Sequence, residues 1–311
     1  MSSKNSNSLT LGIILMLIST IFFALMNALV KYLSNLGYSS MENVFFRAFF
    51  MVLSLYALAG FYPVLKPFFK NLKRLEFKPK AKGGLKPMLL RSFFGAVAVG
   101  IGYYNFATIP LGIATAFLQA SPIFVVFLSF FTRNKPSLFV SLATIIGFVG
   151  VLLIANPSTS SIPLINAILG VFGSICAALA FLTIPSLKRF YTAESVSLYY
   201  GLSMCVVGIA GVFVPVEKMG GFILPDSFAL TLFVLTGITG AAGQYLMTKS
   251  YMYAKPGIVA PIAYMRIVWS VFLGMALGDS LNLLPSIGIA LIVLSGVLIA
   301  LPVFWREYRS A

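Results

Sequence analysis

The chain has 311 residues, 59% of them hydrophobic and only 9% charged, where a soluble domain of this size carries about a quarter charged residues. Long apolar runs recur along almost its whole length, which excludes a water-soluble globular fold. The net charge of +15 does not point to nucleic acid, because eight Lys or Arg are concentrated between Lys66 and Lys86 in one loop beside an apolar run; such a basic juxtamembrane loop marks a membrane face that holds anionic lipid.

Crossing a hydrocarbon core of about 30 Å takes roughly 20 apolar residues. The runs must be helical, since lipid offers no partner to a free N–H or C=O. After a polar tail, 1–9, the first run covers about 10–33 and is long enough to remain as a span, so it is not read as a removable signal. Further spans are expected at about 42–62, 87–109, 111–131, 138–156, 163–187, 195–215, 228–252, 257–277 and 283–304, followed by a short tail, 305–311. Pro110 and Gly112 mark a tight reversal between the third and fourth spans. With the N-terminus inside, the inner segments hold Lys4, the cluster in loop 63–86, Arg133, Lys135, Lys188, Arg189, Lys249, Lys255, Arg306 and Arg309. The outer loops have little beyond Lys218, with Lys31 near an outer helix end. That excess predicts an inner-membrane protein with both termini cytoplasmic and an even number of spans.

The second half replays the first. "NALVKYLS" at the end of span 1 is answered by "TIPSLKRF" at the end of span 6, and "ENVFFRAFF" by "SVSLYYGLS". Gly112-Ile113-Ala114 returns as Gly257-Ile258-Val259 at an offset of 145, and "GVLLI" from Gly150 as "GVLIA" from Gly296 at 146. Five spans per half is an odd number, so the copies are inverted, which places a substrate site at their interface near mid-membrane. The span count, the duplicated halves, the lysine closing the first span of each half and Phe45-Phe46-Arg47 resemble the EamA-type transporters of the drug/metabolite transporter (DMT) superfamily, over about residues 10–304. The resemblance implies an all-α membrane protein of ten transmembrane helices, with repeats 10–156 and 163–304. Spans 1–4 and 6–9 would surround a central cavity, with spans 5 and 10 peripheral. It further implies alternating access and transport of amino acids, nucleotide-like or other small metabolites, without naming the cargo.

An ionisable group deep in a span is a functional candidate by default. Arg266, mid-span in "PIAYMRIVWS", and Arg47, a little over one turn into span 2, are expected to face the cavity, because a guanidinium presents a fork that fits carboxylate or phosphate. The structural alternative is bonding to helix-end carbonyls or, for Arg47, pairing with Glu42. Lys31 and Lys188 are read as snorkelling. Asn27, Tyr103, Asn105, Gln119, Tyr200, Gln244 and Tyr264 form the polar candidates, each of which either lines water or bonds between helices. Gln119 and Tyr264 match under the 145 offset. Pro122 in span 4 and Pro261 in span 9 interrupt corresponding spans, a pointer to a transporter site as well as a plain packing kink. Gly237, Gly240 and Gly243 allow a close helix approach. Gly147-x-x-Gly150 could support a homodimer or pack inside the bundle.

There is no His, and no Asp or Glu lies mid-span. Proton relays in membranes generally use such groups, so the expected activity is facilitated transport or exchange of a small polar metabolite, an amino acid or organic anion, without obligate proton coupling. The alternative is an exporter of aromatic or neutral amino acids recognised by the tyrosines and Trp269. The missing first-span carboxylate argues against the small multidrug-type branch. No Walker-type loop is present for ATP. Cys176 and Cys205 lie in apolar runs and make neither a disulfide framework nor a metal site. No cofactor is expected. An enzyme or lipid-handling protein is disfavoured, since membrane enzymes generally need nucleophile–base pairs or metal ligands.

Overall fold

A backbone surrounded by lipid must bond to itself, and the computed structural model meets that demand with helices. Residues 2–60, 80–109, 111–132, 135–155, 163–276 and 283–310 are described, and among them every regular element is helical. In chain order these are α1 (Ser2–Asn35), α2 (Ser40–Gly60), α3 (Leu85–Thr108), α4 (Leu111–Leu118), α5 (Ser121–Ser129), α6 (Leu138–Ala155), α7 (Leu164–Leu187), α8 (Ala193–Val212), α9 (Ser227–Tyr253), α10 (Pro256–Val259), a 3-10 turn (Pro261–Tyr264), α11 (Met265–Ala276) and α12 (Leu283–Ser310). Seven stretches are long and apolar enough to cross a membrane, among them Leu9–Asn35, Ser227–Tyr253 and Pro256–Leu273. Three shorter apolar stretches, Ala116–Ser129, Leu138–Ile154 and Ser286–Ala300, fall where the fourth, fifth and tenth spans are expected. Lys66 to Lys78 of the basic loop, Pro110, Arg133 and Asp279 lie outside the described residues.

The helices pair α1 with α9, α3 with α7, α2 with α8 and α9, and α6 with α12. Between helices immersed in lipid there is little hydrophobic drive, so close packing of small residues and hydroxyl bonds must hold them. Ser19 Oγ donates to Gly243 O at 2.9 Å and Ser250 Oγ to Gly12 O at 2.6 Å, fastening the middle and one end of the α1–α9 contact. Ser295 Oγ donates to Ala143 O at 2.6 Å between α12 and α6. Gly237 lies against Phe50 of α2, Gly240 against Met26 and Arg47, and Gly243 against Phe23 of α1, so this glycine row admits two neighbouring helices. Gly147 meets Tyr264 and Ser295, and Gly150 meets the backbone of Gly288. These two glycines are therefore taken up inside the chain, against α12 and the 3-10 turn. Apolar side chains cover the outer faces, including Phe131 at 78%, Leu164 at 74% and Val206 at 68% exposure. A contiguous apolar exterior of this kind suits lipid, not water.

Helix ends are capped from the loops. Asp226 Oδ1 accepts from Ala229 N at 2.7 Å at the start of α9, and Thr192 Oγ1 from Ser195 N at 3.2 Å at the start of α8. Lys188 Nζ donates to Met252 O at 2.9 Å, placing a cation at the carbonyl end of α9, where the helix dipole favours it. Glu42 turns to the loop before α9: its carboxylate accepts from Ile223 N at 3.1 Å and from Ser39 N at 3.3 Å. It does not pair with Arg47, the alternative left open for it by the sequence.

The packing of α6 on α12 yields a direct test. A Cβ on Gly150 would stand 2.6 Å from Gly288 O, whereas one on Gly296 meets nothing within 4 Å. Gly150→Val is expected to lower stability by about 1–3 kcal/mol or more through overpacking, read as a fall in the apparent Tm of the purified protein. Gly296→Ala is expected to leave Tm unchanged or raise it slightly, as helix interiors favour Ala over Gly by roughly 0.5–1 kcal/mol.

Candidate functional site

Two of the expected spans are broken, and the breaks face each other. Span 4 stops at Leu118 and restarts at Ser121, with Pro122 in the first turn of α5. A proline lacks the N–H that would bond four residues back; the carbonyl so released belongs to Leu118, and Ser121 Oγ donates to it at 3.4 Å. Span 9 is α10, the 3-10 turn that Pro261 opens, and α11. Gln119, in the first break, donates through Nε2 to Ala263 O in the second at 2.8 Å. One amide thus joins both interruptions.

Beside this join lies a cavity with about 80 Å³ of room for the centres of water molecules, enough for several waters at roughly 10–15 Å³ each. Its lining includes Arg47 from α2, Arg91 from α3 and Arg266 from α11, together with Asn27, Tyr103, Gln119, Tyr200, Gln244 and Tyr251, and the rings of Phe23 and Phe181. Among the described residues, no Asp or Glu lines it. Arg47 donates to Tyr103 Oη at 2.9 Å. Arg91 sits over the Tyr200 ring at 4.4 Å and the Phe181 ring at 5.7 Å, and Arg266 over Phe23 at 4.3 Å. Stacking of a desolvated cation on a ring contributes about 2 kcal/mol, less than the several kcal/mol per ion that burial costs. The Nε of all three arginines is buried without a hydrogen-bond partner. The cavity is therefore a region of uncompensated positive charge, suited to receive an anion.

Local sequence explains the arrangement. Gly95, one turn beyond Arg91 on α3, leaves the space that the guanidinium and the Tyr200 ring fill. Arg47 packs against Gly240 of α9, where an added Cβ would meet the Arg47 Nε at 3.4 Å, an ordinary contact. Of the polar candidates, Arg47, Arg266, Asn27, Tyr103, Gln119, Gln244 and Tyr200 are brought to the cavity. Gln244 also donates to Thr248 Oγ1 at 3.1 Å. Asn105 is not: it donates to Asn166 O at 3.3 Å and accepts from Asn166 Nδ2 at 3.0 Å, joining α3 to α7. Tyr264 points the other way, packed on Gly147 of α6, with its hydroxyl unpartnered. Trp269 is bonded to Thr20 Oγ1 at 3.0 Å on α1 and does not line the cavity. Lys31 and Lys188 do not line it either.

Arg91 was missed by sequence reasoning. It follows Lys86 closely and reads as the edge of the basic loop, yet α3 begins at Leu85 and the residue is 1% exposed. The available signal was its setting, Leu-Leu-Arg-Ser-Phe-Phe, apolar on both sides. Tyr251, Phe181 and Phe23 carried no signal apart from the many other aromatics.

Comparison with known proteins points to a membrane transporter. Residues 10–156 match the model of the EamA-like transporter family. A protein of Helicobacter pylori (strain J99) named only as an uncharacterized transporter is 36% identical over 307 residues, covering 98% of this chain and 99% of that one. The pseudopaline exporter CntI of Pseudomonas aeruginosa (strain UCBPP-PA14) is 26% identical over 262 residues, 83% of this chain and 84% of its own. A solved crystal structure shares the fold at a TM-score of 0.70 and 13% identity, over 97% of this chain and 99% of that one. With a transporter aligned end to end and the family model matched across the first half, this multi-pass membrane protein belongs to the EamA-like transporter family.

Proposed function

We propose that the protein is a secondary carrier, independent of ATP, which moves a small metabolite bearing an anionic group across the membrane by alternating access, as a facilitator or exchanger. The observation that carries this reading is the set of three arginines around one cavity whose described lining residues include no carboxylate. A carboxylate or phosphate entering there accepts charge-assisted hydrogen bonds and relieves the cost of three unmatched cations. Arg266, Arg47 and Arg91 bind the charge, while Asn27, Tyr103, Gln119, Tyr200 and Gln244 form the polar walls. Asn105 and Tyr264 are assigned to packing. Cargo that is neutral and aromatic is the second reading, favoured by the rings of Tyr103, Tyr200, Tyr251, Phe181 and Phe23 along the same walls.

The architecture we infer is ten spans in two inverted five-span halves, 10–156 and 163–304. Helix pairing supports it. Exchanging the halves turns the α1–α9 contact (spans 1 and 8) into the α3–α7 contact (spans 6 and 3), and returns α2–α8 and α6–α12 to themselves. The paired breaks in spans 4 and 9 support it too, since discontinuous helices at a repeat interface are where such carriers bind. The distribution of Lys and Arg favours the inner membrane with both termini in the cytoplasm, and loop 63–86 on anionic lipid.

Thermal stabilisation against organic acids, amino acids, nucleotides and vitamins tests the cargo class, because a ligand of the folded state raises its apparent stability. A carboxylate hit is expected, and Arg266→Ala is expected to weaken it by about 1.5–3 kcal/mol, roughly ten- to a hundred-fold in Kd. A hit that Arg266→Ala leaves untouched moves recognition to the rings and amides. In proteoliposomes, uptake is expected to follow the substrate gradient and to be accelerated by substrate on the far side. Flux driven by a pH step alone, with no substrate gradient, would refute the absence of obligate proton coupling.

A further inference from the structure

The three arginines do not form one cluster. Arg47 contacts the Tyr103 hydroxyl near the far end of α3 and lies against Gly240 of α9. Arg266 stacks on Phe23, and that ring packs on Gly243, one turn along α9 from Gly240. Both guanidinium groups are thus at one level of the cavity, against neighbouring turns of α9. Arg91 is elsewhere. Its guanidinium reaches the level of Gly95 and lies over Tyr200 and Phe181. Phe181 is in turn stacked on Tyr251, at 5.1 Å and 13°.

Two helices serve as independent rulers. Gly95 and Tyr103 are eight residues apart on α3, and Gly243 and Tyr251 eight apart on α9. At 1.5 Å of rise per residue each interval is about 12 Å. The cationic poles are therefore separated by on the order of 10 Å along the cavity, with Tyr200 and apolar residues such as Ala98, Val99 and Met247 also on its wall.

We propose that the cargo carries two anionic groups set apart by a less polar middle, one group held by Arg47 and Arg266 and the other by Arg91. This rests on the anion reading above and goes beyond it. A single carboxylate neutralises one pole and leaves the other buried and unmatched. A dianion with both charges on one centre, such as sulfate, reaches only one. An elongated dianion satisfies both at once, and its middle lies along the rings.

The test uses purified full-length protein and a series of probes: glutarate and adipate as diacids, sulfate as a dianion with both charges on one centre, hexanoate as the one-ended control and hexanamide as the neutral one. Affinities come from thermal shift and from calorimetry. Glutarate or adipate is expected to bind at least about tenfold more tightly than hexanoate, the worth of one further charge-assisted hydrogen bond. Arg91→Gln is expected to bring the diacid down to the affinity of hexanoate, while Arg266→Gln weakens all the acids. Arg91→Met, apolar in a buried place, replaces Arg91→Gln if that variant does not elute as a single species. Hexanoate or sulfate binding as tightly as adipate would overturn the two-pole proposal and leave the anion reading standing. A diacid preference that survives the loss of Arg91 would overturn it as well. Hexanamide binding as tightly as every acid would remove both.

Discussion

The structure depends on one constraint: lipid has no hydrogen bonds to give. Helices satisfy it within each span, and the carbonyls that proline leaves free must then be satisfied from nearby. Both interruptions occur beside the cavity: Ser121 donates to the Leu118 carbonyl that Pro122 frees, and Gln119 to the Ala263 carbonyl within the 3-10 turn. Elsewhere serine hydroxyls bond to main-chain oxygens of neighbouring helices, as Ser19, Ser250 and Ser295 do. Irregular backbone at membrane depth is tolerated only where protein or enclosed water can receive it. The same rule that makes the scaffold helical therefore marks the cavity.

Charge sets the second level of organisation. Each arginine leans on an aromatic ring, and Arg47 has a phenol oxygen as well. These contacts soften the burial without cancelling it, because rings and hydroxyls carry no net charge. The carboxylate best placed to oppose them, Glu42, is spent on backbone N–H groups at the start of α2 and in the loop before α9. Keeping that acid away from Arg47 leaves the three arginines without a carboxylate partner among the described lining residues.

Much of this was legible in the sequence because bilayer thickness sets a strict length on apolar runs. The first three spans and the sixth to ninth coincide with the seven long helices. Pro122 and Pro261 marked the two breaks, since missing N–H groups act locally and leave a local trace. Side-chain direction was harder to read. Asn105 and Tyr103 are close on one helix, yet one bonds Asn166 and the other reaches the cavity. Apolar residues surround every face of a membrane helix, so polarity patterns say little about which face turns inward. Arg91 was hidden for a related reason: the basic loop before it carries so many cations that one more, inside the helix, did not stand out. Gly147 and Gly150 could pack within or between chains on sequence grounds, and only the position of α12 assigns them.

The Gly150–Gly288 contact also bears on how this chain can vary. At each position the obstacle to a side chain is the partner's carbonyl oxygen, 2.6 Å from where a Cβ would stand. A carbonyl cannot be trimmed by mutation. Shrinking a neighbouring side chain, the usual second-site remedy for an overfilled core, falls short here: Ile292 stands 2.9 Å from a Cβ on Gly150 and Ile154 2.7 Å from one on Gly288, and trimming either leaves the carbonyl in place. Suppressors of a substitution at either site must then let α6 and α12 separate as whole helices. The two positions meet through main chain, both are already glycine, and neither can compensate for the other.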